Sequence, residues 1–235
     1  MSGTTLRNAT YSELPDISHV MSKAFWNEKL FGDMIHPHRE AYPSDPDLYW
    51  LRRLRVDFWD YRSQYIVAIA RNERGKEVIA GVAHWERLGD GGKMLECSYL
   101  DPRNLLKPLS SLAMNIHARI WPNRAADPKN EDIIERSYPY FQHIWSGKRA
   151  ESWYLAVLAV HPDFQGKGVG RKLAKWGIEQ AQAEGVCASL IAAEGTDEFY
   201  RKLDFEEQFG RATIGECNPL ANIGGSYVYW YWPRT

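Results

Sequence analysis

The residues best placed to do chemistry cluster between Leu158 and Arg171, in the run LAVHPDFQGKGVGR. An apolar strand ends there, glycines turn the chain, and a helix begins. At such a junction the first backbone N–H groups of the helix lack intrahelical partners. The aligned peptide dipoles add a partial positive charge, so the junction suits a pyrophosphate. Glycine is favoured because a Cβ would hold phosphates off the amides and resist positive φ. Lys167, Arg171 and Lys172 can add charge at the rim. Two common phosphate patterns fail. Counted from Gly166, the dinucleotide fingerprint meets Arg171 where its third glycine belongs. No Ser or Thr follows Gly166-Lys167 as a P-loop would require. The pattern present is Gln-x-x-Gly-x-Gly, from Gln165 to Gly170.

Several elements must position this turn. Trp153 to Val160 is a continuous apolar run, hence a strand expected to be buried on both faces. After the turn come a helix to about Ala183, a strand from Cys187 to Ala192, and a short helix from Thr196 to Leu203. Strands Glu206 to Thr213 and Ser226 to Tyr231 follow. In the first half, Thr4 to Ala9 reads as a strand and Ser12 to Trp26 as a helix, with Leu14, Ile17, Val20, Met21 and Ala24 on one face. Asn27 to Tyr42 reads as loop, since His36-Pro37-His38 discourages regular structure. Asp45-Pro46 starts a second helix. Gln64 to Ala70 and Glu77 to Trp85 form an antiparallel hairpin around Asn72-Glu73-Arg74-Gly75.

Between these halves, Gly89 to Ala150 fits no hairpin. One helix carries Leu105, Leu109, Leu112, Ile116 and Ile120, and a second lies around Ile133 to Ile144. A segment of ~60 residues makes a marginal core alone, so it is expected as an insertion or cap within a single domain over 1–235. Strands and helices alternate in the second half, so the class is α/β with a mixed sheet.

Composition narrows the partners. Of 235 residues 44% are hydrophobic, enough for a real core, and the net charge of -1 gives no field for nucleic acid or an anionic membrane. There is no basic stripe, and no apolar run approaches the ~20 residues of a membrane helix. Met1 to Tyr11 lacks the apolar core of a secretory signal. Cys97, Cys187 and Cys217 are odd in number and scattered, which points to a reducing, cytoplasmic setting. His36, His38 and His161 are not spaced as zinc ligands, so no metal is expected. Ten Trp and thirteen Tyr fit either an aromatic core or an apolar substrate pocket, which composition does not separate.

Taken with its surroundings, the Gln165 to Gly170 loop resembles the coenzyme-A pyrophosphate loop of the GNAT superfamily of N-acetyltransferases. The strand and His-Pro of LAVHPDFQGKGVG precede it in that family's order, and EFYRKLDF, Glu198 to Phe205, resembles the family's downstream helix. Asp204 stands where the family usually has Gly. The resemblance covers roughly residues 150 to 207, and by architecture 4 to 87.

It implies a GNAT-like, mostly antiparallel central sheet flanked by helices and splayed at the acyl-coenzyme-A strand, here with a helical insertion. It implies acetyl coenzyme A as cosubstrate, held by Leu158, Ala159, Val160, Gln165, Gly166, Lys167, Gly168, Val169, Gly170 and Arg171. A bulge at Leu158 to Val160 would free N–H groups for the thioester carbonyl. Tyr200 is placed as general acid near the sulfur.

The base stays open. The family's Glu maps near Tyr154. Glu151 is the candidate carried forward, with His84 and Glu86 on the neighbouring strand and a water chain as the other options. The acceptor, a small-molecule amine, is expected against Phe25, Trp26 and Tyr154, with Tyr49 and Trp50 as further aromatics. A monomer or a homodimer fits equally. The competing readings are a protein N-terminal or lysine acetyltransferase and a non-catalytic acyl-coenzyme-A-binding module. A nucleotide-binding oxidoreductase is disfavoured by the failed spacing.

Overall fold

In β2, Ser63–Arg71, successive side chains turn to opposite faces. Tyr65 and Val67 join one apolar cluster, Ile66 and Ala68 another. A computed structural model, describing residues 3–95 and 100–233, extends this two-sided arrangement through a seven-stranded sheet. The other strands are β1 (Thr5–Asn8), β3 (Glu77–Leu88), β4 (Ser152–Val160), β5 (Cys187–Ala192), β6 (Glu207–Arg211) and β7 (Tyr227–Tyr231). Their order is β1-β2-β3-β4-β5-β7-β6. Pairing is antiparallel throughout except between β4 and β5. The mixed, mostly antiparallel sheet is the one the sequence led us to expect.

Helices α1 (Leu14–Ala24) and α2 (Pro46–Asp57) cover one face of the sheet, where Leu14, Ile17, Met21, Tyr49, Trp50 and Leu54 share a core with Val67 and Val82. On the other face lie α6 (Val169–Glu184) and α7 (Asp197–Arg201). Helix α6 sits directly on β3. A Cβ on Gly177 would fall 2.2 Å from the fully buried Trp85 ring, whose Nε1 donates to the Leu173 carbonyl at 3.3 Å. Only glycine permits that approach.

Between β3 and β4 lie α3 (Asp90–Met94), α4 (Arg103–Ile120) and α5 (Ile133–Phe141). Ile133, Phe141 and Ile144 belong to the same core cluster as α1 and α2. Cys97 lies outside the described residues. Among the described residues no helix is long and apolar enough to cross a membrane.

Two local expectations need correction. The supposed loop after α1 contains a π-helical segment, Lys29–Ile35, started by Glu28, whose carboxylate accepts the Leu30 and Phe31 amides at 2.9 and 2.7 Å. A short polar cap outweighed the proline signal downstream. Nor is β4 buried evenly on both faces, for Ala156, Val157 and Leu158 are half-buried. There its neighbour departs.

Candidate active site

β4 and β5 pair only over Ser152–Leu155 with Cys187–Leu190. Beyond that the strands part. The cleft between them encloses about 230 Å³ and is lined by β4 from Tyr154 to Leu158, by Ile191 and Ala192 of β5, and by Tyr200. On its other side β4 slips register against β3, and Ala156 is left between the His84–Val157 and Trp85–Leu155 pairs. The bulge thus lies two residues before the Leu158–Val160 stretch on which it was expected. The His161 amide donates to the Ala80 carbonyl of β3 at 2.9 Å. Because N–H directions alternate along a strand, the Leu158 and Val160 amides point away from β3, into the cleft, and the Ala159 amide does not. Ala159 is also buried.

The glycine turn follows β4 at the end where β4 has parted from β5. Gly166 and Gly168 take φ of 70° and 79°, and a Cβ at either would meet nothing within 4 Å. The space is open and the backbone is one that other L-residues resist, which fits a cradle for phosphate oxygens. Gly168 caps α6, whose first amides face outward. Gln165 is exposed and folds back on β4, its Nε2 donating to the Val160 carbonyl at 3.1 Å. Lys167 is tied back to the Asp163 carbonyl at 2.7 Å, and Arg171 is exposed on the first turn. The Val169 side chain is buried in the core, so only its amide is available to a ligand.

A second cavity, of about 250 Å³, lies on the α1–α2 side of the sheet. Phe31, Ile134, Phe141, Tyr154, Ala156 and Val157 line both cavities, so the two meet along β4. The second is walled by aromatics from α2, β2 and α5, and it holds two carboxylates, Asp57 and Glu86. Burial pushes the Glu86 carboxyl up to about 7, and the Asp57 and Asp60 charges add to this. Burial likewise raises Asp57 to about 6, opposed by Arg53 and Lys107. His84 stacks on Tyr65 with ring centroids 4.1 Å apart, and its Nε2 lies 2.9 Å from Ser63 Oγ and 3.6 Å from Glu86. Burial lowers it to about 3, so it is neutral. Glu86 stands opposite Tyr154 in the β3–β4 register, at the junction of the two cavities.

The remaining candidates separate. Tyr200 is buried on α7 and lines the cleft, and burial raises its phenol, which keeps the proton it would donate. Tyr154 lines both cavities, Phe25 the β4–β5 cleft. Trp26 is not among the residues lining either one, since its indole donates to Glu40 at 3.1 Å. Glu151 is also outside them. It accepts the Asp90 and Gly91 amides at 2.5 and 3.2 Å and pairs with Arg87 at 2.7 Å. Partial burial works to raise it, yet these partners together hold it below the usual carboxylate range.

Sequence reasoning named Glu86 as one option and missed Asp57, Tyr138 and Trp145. The overlooked signal was the place of Asp57, at the end of α2 between Val56 and the aromatic pair Phe58-Trp59. Among the described residues no group of three His, Cys, Asp or Glu could hold a metal ion.

Residues 136–207 match the family model of the acetyltransferase (GNAT) domain. Among solved structures, the histone acetyltransferase HPA2 and related acetyltransferase from Corynebacterium glutamicum ATCC 13032 is 22% identical with a TM-score of 0.58, over 100% of this chain and 98% of that one. A GNAT-family acetyltransferase from Staphylococcus aureus MU50 is 10% identical with a TM-score of 0.50, over 99% and 100%. The PaiA N-acetyltransferase from Thermoplasma acidophilum, solved in complex with coenzyme A, is 10% identical with a TM-score of 0.48, over 98% and 99%.

Proposed function

We propose that this chain, which carries a GNAT acetyltransferase domain, transfers an acetyl group from acetyl coenzyme A to the primary amine of a small cationic molecule with an apolar, aromatic body. The observation that carries this reading is the meeting of the β4–β5 cleft with an aromatic-walled cavity in which two carboxylates, Asp57 and Glu86, face one cation, Arg53. An ammonium group is drawn to paired carboxylates, and rings accept both its apolar body and its charge. The cavity is small and partly roofed by α5, which favours a compact acceptor over a peptide in an open groove.

The chemistry assigns one task to each group. Asp57 holds the ammonium. Glu86, poised near neutrality, takes a proton from it so that the lone pair can attack the thioester carbonyl. The Leu158 amide donates to the oxyanion that forms. As the C–S bond breaks, Tyr200 gives its proton to the departing thiolate and is reprotonated, through water, by the second proton that the attacking nitrogen sheds. The outward amides of Gly166 to Gly170 and the α6 dipole hold the pyrophosphate. Glu151, bound to Arg87 and the α3 turn, is released from the role of base.

The test is a thermal-shift titration with acetyl coenzyme A, coenzyme A and NAD on the wild type and Gly168→Glu, followed by free-thiol release with aromatic monoamines and a lysine peptide. Stabilisation by the two coenzyme-A ligands alone, lost in the variant, and turnover with the monoamines support the reading. Binding without turnover on any amine would make the chain an acyl-coenzyme-A-binding module. Absence of any shift would overturn the proposal.

A further inference from the structure

Helix α4 is built inside out. Its inward side makes polar contacts: Lys107 pairs with Asp60, Ser110 Oγ donates to the Arg55 carbonyl at 2.8 Å, and His117 Nδ1 accepts from Arg52 at 3.3 Å. Its outward side carries Leu105, Leu109, Leu112, Ile116 and Ile120, followed by Trp121, each 48 to 63% exposed. Arg119 is the one charged residue among the exposed positions of the helix. A surface helix normally turns its apolar stripe to the core. Here the stripe faces away from it.

The area is large. At ~200 Å² per large side chain the six present roughly 600–700 Å² of apolar surface, above the ~300–600 Å² of an ordinary monomer's largest patch. Two copies pressed together would bury about 1,200–1,400 Å², which reaches the range of specific interfaces.

The stripe is also close to palindromic. Leu105 and Leu109 lie seven and three residues before Leu112, and Ile116 and Ile120 lie four and eight after it. A two-fold axis midway between Leu112 and Ala113 would set Leu109 against Ile116 and Leu105 against Ile120, twice, with Arg119 at the edge of the contact. Self-complementarity of this kind is what an isologous contact demands. A membrane surface fits less well. A helix lying on anionic lipid needs several free cations beside its apolar face, but Arg103 is held by Asp101 at 2.6 Å and Lys107 by Asp60, which leaves Arg119 as the one charge on the exposed positions of the helix.

We propose that α4 pairs antiparallel with α4 of a second copy of this chain, across a two-fold axis between Leu112 and Ala113. The contact lies behind α2, the helix that supplies Tyr49, Trp50 and Asp57 to the acceptor cavity, so each copy braces the other's substrate wall from outside.

Sedimentation velocity over the micromolar range tests this, on the wild type, Leu109→Lys, Ile116→Asp and the double variant, with circular dichroism and melting curves to verify folding. The wild type should be a dimer. Each single variant should dissociate at least 100-fold more readily. The double variant should recover the dimer, because the ammonium introduced on one copy would then face the carboxylate introduced on the other. A wild type that stays monomeric overturns the proposal. So does a double variant no more associated than the singles, or a monomer that sediments with phosphatidylcholine–phosphatidylserine vesicles.

Discussion

Helices α4 and α5 lie in the same segment between β3 and β4 and carry equally clear apolar faces, yet they use them in opposite directions. The α5 face, with Ile133, Phe141 and the nearby Ile144, turns into the main core and closes over both cavities. The α4 face turns outward, and polar pairs hold its other side to α2 and the segment that follows it. Periodicity in a sequence identifies a face; what that face meets depends on partners the period does not name.

The comparison can be sharpened first at the residue α5 helps to enclose. Glu86→Gln should lower kcat/KM for the amine by about 10²- to 10⁴-fold, the usual contribution of a positioned base. It should also remove the limb of the pH–rate profile that rises through about 7. Matched truncations then set the helices against each other. Phe141→Ala, which opens a cavity in the core, should cost about 3–5 kcal/mol in denaturant unfolding. Leu112→Ala, measured in dilution where the chain is monomeric, should cost no more than about 0.5 kcal/mol. Equal losses would show that α4 is packed in solution as α5 is.

A subtler test concerns pH and stability. The folded chain keeps a proton on Glu86 up to about 7, whereas an unperturbed glutamate releases it near 4.5. Between those values the native state binds more protons than the unfolded one, so stability should fall as pH rises through this window. Glu86→Gln should flatten that fall in urea titrations. Asp57, raised to about 6, adds a fall of the same sign over a window at lower pH. The least disruptive change is Tyr138→Phe on α5, which should alter KM for the amine several-fold while Leu112→Ala leaves it unchanged.

Much of this was legible in the residues. The glycine turn, the strand before it and the helix after it lie within one or two residues of their expected bounds, because local rules set them: apolar runs, capping, and glycines where φ must be positive. Asp204 is instructive here. It replaces the family's usual Gly and still takes φ of 64°, a conformation Asp tolerates better than most residues. Less legible was anything assembled from afar. Asp57 ends a helix and Glu86 sits on a strand, and nothing between them signals that they face one cavity. Trp26 and Phe25 are neighbours in sequence, but only Phe25 reaches the cleft, because the turn after α1 swings Trp26 toward Glu40. Glu151 looked available for catalysis because Arg87, its partner, lies on another strand.

The parting of β4 from β5 has a kinetic consequence. Four residue pairs join the two strands, and this is the one parallel ladder among the described strands. The β2–β3 hairpin closes across residues 72–76, whereas the parallel ladder must wait for α6 to cross over and so forms late in folding. A short ladder made late is also among the first to open. Isotope exchange at those amides of Cys187 to Leu190 that face β4 should therefore outpace exchange in the β2–β3 ladder, while those that face β7 stay protected.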